Sequence, residues 1–350
     1  MRIHLLAPPN VQTTQEYALD NFGVMTCRFA KMLKGLGHEV TLYASEENEA
    51  PCAELVTLFS KAEQIRLLGI TPFFAARPAA NHPLWMVANV AAIKEIRARK
   101  QPRDLICSIG GLSQKPIADA FPELFFVEYS IGYHGTFSKY RVYESSAWRH
   151  FIHGEQKNLY GRYFDDVIPA FFDEEEYPFQ QKKEPYVAYL GRLTSDKGVN
   201  VACLAAKEAG VKLYVSGYGD KSLVTHGAEY LGVLSDKDKK TFLGKASAVL
   251  CPTQYLEPFG CVAVEAQLCG TPVISTDFGG FVETVEEGIT GNRCRYLGEF
   301  IRAIRERQLF DPERIRARAI AQFSIKKVAP RYQRYFDRLE LLWGKGWNSQ

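Results

Sequence analysis

Short apolar runs alternate with helical stretches along nearly the whole chain, and that alternation leaves few folds open. Residues 3–7 read as a first strand, residues 8–21 as a long polar loop opened by Pro8, and residues 22–36 as a helix with Gly23 at its start. The run Gly-Leu-Gly-His-Glu-Val at 35–40 stops that helix and leads into a second strand at 40–44. A strand, a helix and a strand in this order form a βαβ unit, which makes the two strands parallel. Further strands are predicted at 55–59, 104–108 and 124–129, and helices at 84–99, 113–121 and 140–160, the last studded with aromatic residues. The stretch 65–85 reads as irregular, with Arg66 and Arg77 among Phe, Pro and Leu; it offers an acceptor-side or membrane-surface patch. After an acidic and then basic linker reaching Glu184, the alternation resumes. Strands are predicted at 186–190, 212–216, 248–251 and 272–276, and helices at 199–209, 237–245, 281–287, 299–307 and 323–342. Another helix starts at Gly260 and ends at Gly270. The expected class is therefore α/β with parallel sheets, and 350 residues suggest about two domains.

Composition removes several classes of function. A hydrophobic content of 46% and a charged content of 24% suit a globular protein, and a formal net charge of +3 is too small to require nucleic acid as a partner. The eight cysteines include no Cys-x-x-Cys pair, so they read as reduced thiols and point to the cytoplasm. No run of about 18 apolar residues is present to span a membrane. A dinucleotide fingerprint, Gly-x-Gly-x-x-Gly, is also missing.

Two loops in the second half carry the chemistry. Gly-Arg-Leu-Thr-Ser-Asp-Lys-Gly, residues 191–198, joins a strand end to a helix start and places Arg192 and Lys197 there. Two cations over a helix N-terminus suit a diphosphate, although a solvated turn would look the same. The second loop follows the strand at 248–251. Pro252 and Pro258 keep it irregular, and Glu257 lies within it. Glu265 then falls inside a short helix whose other residues are nearly all apolar. A carboxylate there is costly unless donors reach it. It either pairs with a buried Arg, with Glu257 solvated, or accepts bonds from a ligand's hydroxyls. Asp236-Lys237-Asp238 is formally an Asp-x-Asp metal signature, but Ser235 before it makes a helix cap the better reading.

Glu257 and Glu265, separated by seven residues with Phe259-Gly260 between them and Cys-Gly-Thr-Pro-Val-Ile after them, resemble the donor-binding signature of retaining glycosyltransferases of family four. The resemblance implies the GT-B fold, two facing Rossmann-like domains with a cleft between them. It implies an N-terminal acceptor-binding domain at 1–167, a nucleotide-sugar-binding domain at 168–322, and a last helix at 323–342 packing back on the first. Residues 166–173 resemble the family's interdomain hinge. On the same grounds Arg192 and Lys197 would stabilise the leaving diphosphate, and Glu257 would meet the donor sugar. Phe259, Gly260 and Cys261 would offer backbone amides, and Glu265 would take the ribose hydroxyls. Gly279-Gly280 also matches a family loop, although a turn before the next helix explains it as well. In the first domain the match is architectural. Gly23 stands where the family has a small-residue loop, and His134 is the nearest counterpart of a sugar-facing His, with Glu128 and Tyr133 as alternatives.

The function expected from the residues and the resemblance is transfer of a hexosyl or pentosyl group from a nucleoside-diphosphate sugar, UDP favoured over GDP. The anomeric configuration would be retained, with no metal or other cofactor. The acceptor is left open among glycan, lipid-linked sugar, small molecule and modified nucleic acid, with peripheral membrane contact possible and no obligatory protein partner evident. A sugar phosphorylase on the same fold and a non-catalytic sugar-nucleotide or glycan-binding module are the alternatives. The first would have no use for Glu265, and the second no use for the full set Arg192, Lys197, Glu257 and Glu265.

Overall fold

The computed structural model describes residues 1–17, 19–69 and 78–345. They form two compact units. One contains Met1–Glu144, Ile152–Pro169 and the chain from Val328 on; the other contains Ser145–Phe151 and Ala170–Lys327.

In the first unit the strands are β1 (Arg2–Leu6), β2 (Glu39–Ala44), β3 (Glu54–Thr57), β4 (Leu105–Ser108), β5 (Phe125–Ile131), β6 (Tyr140–Tyr143) and β7 (Asp165–Val167). They pair in parallel in the order β3-β2-β1-β4-β5-β6-β7. Parallel strands covered on both faces need apolar residues at nearly every position, and β4, Leu-Ile-Cys-Ser, is buried throughout. The helices are α1 (Asn21–Gly35), α2 (Lys61–Leu68), α3 (Pro83–Arg99) and α4 (Lys115–Ala120); α5 (Ser146–Glu155) is divided, its residues through Phe151 belonging to the second unit and those from Ile152 to the first. Asp20 caps α1 by accepting a 2.9 Å hydrogen bond from the Gly23 amide. On one side of the sheet Phe29 of α1 stacks on Tyr129 at 3.9 Å, and Tyr332 meets it edge-on at 5.1 Å.

The second unit repeats the order. Its strands are β8 (Tyr186–Leu190), β9 (Lys212–Ser216), β10 (Glu229–Tyr230), β11 (Ala248–Cys251), β12 (Val273–Thr276) and β13 (Gly291–Cys294), arranged β10-β9-β8-β11-β12-β13, all parallel. The helices are α6 (Val199–Ala209), α7 (Asp236–Lys245), α8 (Cys261–Leu268), α9 (Phe281–Thr284), α10 (Leu297–Glu306), α11 (Pro312–Phe323) and α12 (Ile325–Glu340), the last passing into the first unit at Val328. Its core has Val187, Val199, Ala202, Val215, Leu250 and Ile304 at its centre. In both sheets the strand order reverses beside the first strand of the unit, between β1 and β4 and between β8 and β11. Loops at the carboxyl ends of such strand pairs diverge and leave a crevice, which is where open α/β sheets take ligands.

Several expectations need correction. Residues 140–160 are not one helix: Tyr140–Tyr143 is a strand, because Tyr-Arg-Val-Tyr pairs on both sides, with β5 and with β7, and α5 begins only at Ser146. Part of the stretch expected to be irregular is helical, since Ser60 caps α2 through the Glu63 amide at 3.1 Å. Arg77 lies outside the described residues. Strands β10 and β13 and helix α11 carry no strong periodic signal and went unread.

Candidate active site

The two loops at the β8/β11 reversal are held by glycines that approach backbone. Gly198 has φ +73°, and a Cβ there would lie 2.0 Å from the Pro252 carbonyl oxygen. The loop after β8 therefore lies against the loop after β11 only because residue 198 lacks a side chain. Gly280 donates its amide to the Glu257 carbonyl at 2.7 Å, and a Cβ on Gly279 would fall 2.8 Å from the Glu257 nitrogen. The Gly279-Gly280 pair thus lies directly against the Glu257 backbone.

Within this frame Lys197 Nζ lies 2.5 Å from Glu257 Oε2. The same carboxylate oxygen accepts from the Tyr255 hydroxyl at 3.1 Å and from Thr253 Oγ1 at 3.4 Å. The ammonium of Lys197 also lies 4.8 Å from the centre of the Tyr255 ring. Burial alone would lower the lysine's pKa; the charge of Glu257 and the adjacent Tyr255 outweigh it, and the net shift is upward. Arg192 belongs to the same cluster. Burial works against its charge, but Tyr255 and Asp196 beside it outweigh that and raise its pKa. Its backbone carbonyl is fixed by the Tyr189 hydroxyl at 2.7 Å. Arg192, Lys197 and Glu257 are therefore brought together, and Tyr255 touches all three. That tyrosine was not singled out in the sequence; its place two residues before Glu257, in a loop pinned by prolines, is the only signal for it.

Helices α6 and α8 both open toward this cluster without a capping side chain, since Gly198 and Gly260 occupy their N-cap positions in left-handed conformation. Their first N–H groups have no intrahelical acceptor and suit an anion. Phe259, just before α8, is buried, with Phe323 at 5.6 Å edge-on. Cys261 is the first residue of α8 and is half-buried.

Glu265 lies one turn further along α8 and is buried. It pairs with a lysine rather than an arginine: Lys239 Nζ and the Tyr177 hydroxyl both lie 3.1 Å from its Oε1. Lys239 escaped the sequence reading because α7 looks polar. The signal was present, since Lys239, Phe242 and Leu243 share the i, i+3, i+4 face that is buried. Asp236 of the Asp-x-Asp is bound by Lys239 at 3.2 Å and by Lys240 at 2.6 Å, and Ser235 caps the helix through the Asp238 amide.

In the first unit Gly23 is the third residue of α1, where a Cβ would meet Val11 at 2.9 Å. His134 is 60% exposed and its Nδ1 lies 3.0 Å from Glu155 Oε1. Glu128 is fully buried in the middle of β5. Its Oε2 accepts the amides of Phe137 and Ser138 at 2.9 and 2.7 Å, and the Tyr133 hydroxyl approaches Oε1 at 3.5 Å. Burial raises its pKa to about 7 in spite of those donors.

Parallel sheets in this order match solved GT-B glycosyltransferases, so the fold is GT-B. Residues 172–295, about a third of the chain, match the family described as glycosyl transferases group 1. The glycogen synthase of Mycobacterium tuberculosis (strain CDC 1551 / Oshkosh) is 31% identical over 176 residues, covering 44% of this chain and 42% of that protein. The chain thus spans less than half the length of such curated relatives. Over 97% of its length it superposes on AviGT4, a glycosyltransferase involved in avilamycin A biosynthesis, with a TM-score of 0.70, 18% identity and 98% of that chain covered. Anabaena Alr3699/HepE, solved with UDP and glucose, gives a TM-score of 0.67 at 18% identity, with 97% and 100% covered.

Proposed function

We propose that the chain is a retaining glycosyltransferase that moves a sugar from a nucleoside-diphosphate sugar, UDP favoured over GDP, to a hydroxyl acceptor without a metal. The observation that carries this is the cluster of Lys197, Glu257, Tyr255 and Arg192 at the β8/β11 reversal, 2.5 Å apart at its closest pair. Breaking the bond from anomeric carbon to phosphate oxygen builds negative charge on the diphosphate and positive character on the sugar ring. Two fixed cations beside two uncapped helix starts would stabilise the first, and the Glu257 carboxylate would stabilise the second or hold the sugar's hydroxyls. Glu265 would accept from the ribose. The neighbour solved with UDP and glucose supports a uridine donor.

The test is incubation of the protein with UDP- and GDP-sugars, with and without EDTA, following nucleotide release and the anomeric configuration of the product by NMR. Release of UDP in chelator with retained configuration is expected. Activity that needs added magnesium or manganese would overturn the metal-free mechanism, and an inverted product would overturn retention. Turnover with sugar phosphate and inorganic phosphate, but with no nucleotide sugar, would replace the transferase by a phosphorylase.

A further inference from the structure

Glu265 is set in an apolar helix and packed among Ala263, Val264 and Ala266, all buried. Its carboxylate can hold one orientation there only if fixed donors meet it. Two do, from two different segments: Lys239 on α7 and Tyr177 in the stretch leading into the second unit. Both are themselves buried, Lys239 at 9% exposure and Tyr177 at 1%, so neither can swing into water to be replaced by solvent. Both bonds converge on Oε1. Among the described residues that leaves Oε2 as the oxygen free to accept from outside the protein. Lys239 is fixed in turn by Asp236 at 3.2 Å, and Asp236 by Lys240, whose ammonium lies 5.2 Å from the Tyr177 ring centre and 3.6 Å from Glu176. The charges alternate along this chain, so Glu265 receives a counter-charge without an unpaired ion being buried.

We propose that Lys239 and Tyr177 are positioning residues that orient Glu265 to accept the ribose hydroxyls of the donor nucleotide, an inference that rests on the nucleotide-sugar reading above. Neither residue touches the nucleotide; each acts through the angle and charge of one carboxylate. Their effect is therefore confined to the ribose and leaves the diphosphate contacts at Arg192 and Lys197 unchanged.

Calorimetry with three ligands, UDP, 2′-deoxy-UDP and pyrophosphate, separates these contributions. The wild-type protein should prefer UDP to 2′-deoxy-UDP by about tenfold, the worth of one charge-assisted hydrogen bond. In Lys239→Met that preference should shrink to about threefold or less, with pyrophosphate affinity unchanged. Tyr177→Phe removes a single hydroxyl and should shift the preference in the same direction by less; it carries the test if Lys239→Met does not fold. Glu265→Gln is the control for the underlying reading. If it loses the preference while Lys239→Met and Tyr177→Phe keep it, the nucleotide-sugar reading stands and the positioning role is overturned. If all three ligands weaken equally in the two positioning variants, the residues are merely structural and the proposal fails. If Glu265→Gln keeps the preference, Glu265 does not read a ribose and the positioning role falls, while the transferase reading still stands on the Lys197 cluster; if the wild type binds no UDP, both inferences fall.

Discussion

Lys197 is held by a carboxylate, a phenol and a ring face at once, which fixes its ammonium where charge would build on a leaving diphosphate. Lys197→Ala and Arg192→Ala should each lower turnover at saturating donor by about a hundredfold or more, with a smaller change in donor affinity, because the charge is larger in the transition state. The double variant should lose less than the product of the two, since both cations serve one diphosphate. Near wild-type kcat in both folded single variants would remove them from the mechanism. Glu128 supplies a test in the first unit. Its folded-state pKa of about 7 lies above that of an exposed glutamate, so its contribution to stability is fully present at low pH. That contribution declines as pH rises from the unfolded pKa, about 4.5, through 7, and the loss amounts to roughly 3 kcal/mol. Urea unfolding of Glu128→Gln should lose this slope between pH 5 and 7.5; an unchanged slope would place the titrating group elsewhere. At this scale the sequence shows the residues that glycine and proline mark. Arg192, Lys197 and Glu257 stand in loops between a strand end and a helix start, so their convergence could be inferred. Lys239 and Tyr177 could not be paired with Glu265 in this way, because that pairing depends on how α7 and the chain at Tyr177 pack on α8.

Elements place these residues through backbone contact rather than side-chain packing. Gly198→Ala would put a methyl 2.0 Å from the Pro252 carbonyl and keep a left-handed φ. It should destabilise the second unit by about 2–5 kcal/mol, conformational strain and overpacking together. Gly210, which caps the other end of α6 at φ +72°, has open space around it, so Gly210→Ala should cost only the conformational part, about 1–2 kcal/mol. Equal losses in chemical denaturation would mean that the approach to Pro252 does not constrain the loop. Most strands of both sheets were legible because each is a short apolar run closed by a turn signal. β6 was not, since Tyr-Arg-Val-Tyr with aromatic residues after it suits a helix equally well; only pairing with both neighbours decides it. β13, Gly-Asn-Arg-Cys, has too little apolar character to be read alone and is a strand because β12 offers it a free edge.

Each unit has its own buried core, the first around Leu6, Ile96, Ile106 and Phe126 and the second around Val187, Val199 and Leu250. Scanning calorimetry is therefore expected to show two transitions. UDP at a hundred times its Kd should stabilise the second unit by about 2.7 kcal/mol and move one transition only. The transition that moves should be the one that Gly198→Ala lowers. A single transition, or equal shifts in both, would contradict this. The path of the chain also bears on synthesis. Helix α12, near the C-terminal end, completes the first unit: Tyr332 packs on Phe29, Tyr335 donates to the Phe164 carbonyl at 2.9 Å, and Arg331 donates to the Val167 carbonyl at 2.5 Å. A ribosome adds roughly 160 residues between Pro169 and Val328, on the order of ten to thirty seconds at ordinary elongation rates. Through that interval the nascent first unit has its sheet but not the helix that covers Phe29, so an apolar surface waits open while the second unit folds. A chaperone that binds apolar surface has its longest opportunity there, and a nonsense codon just before α12 leaves that surface bare for good.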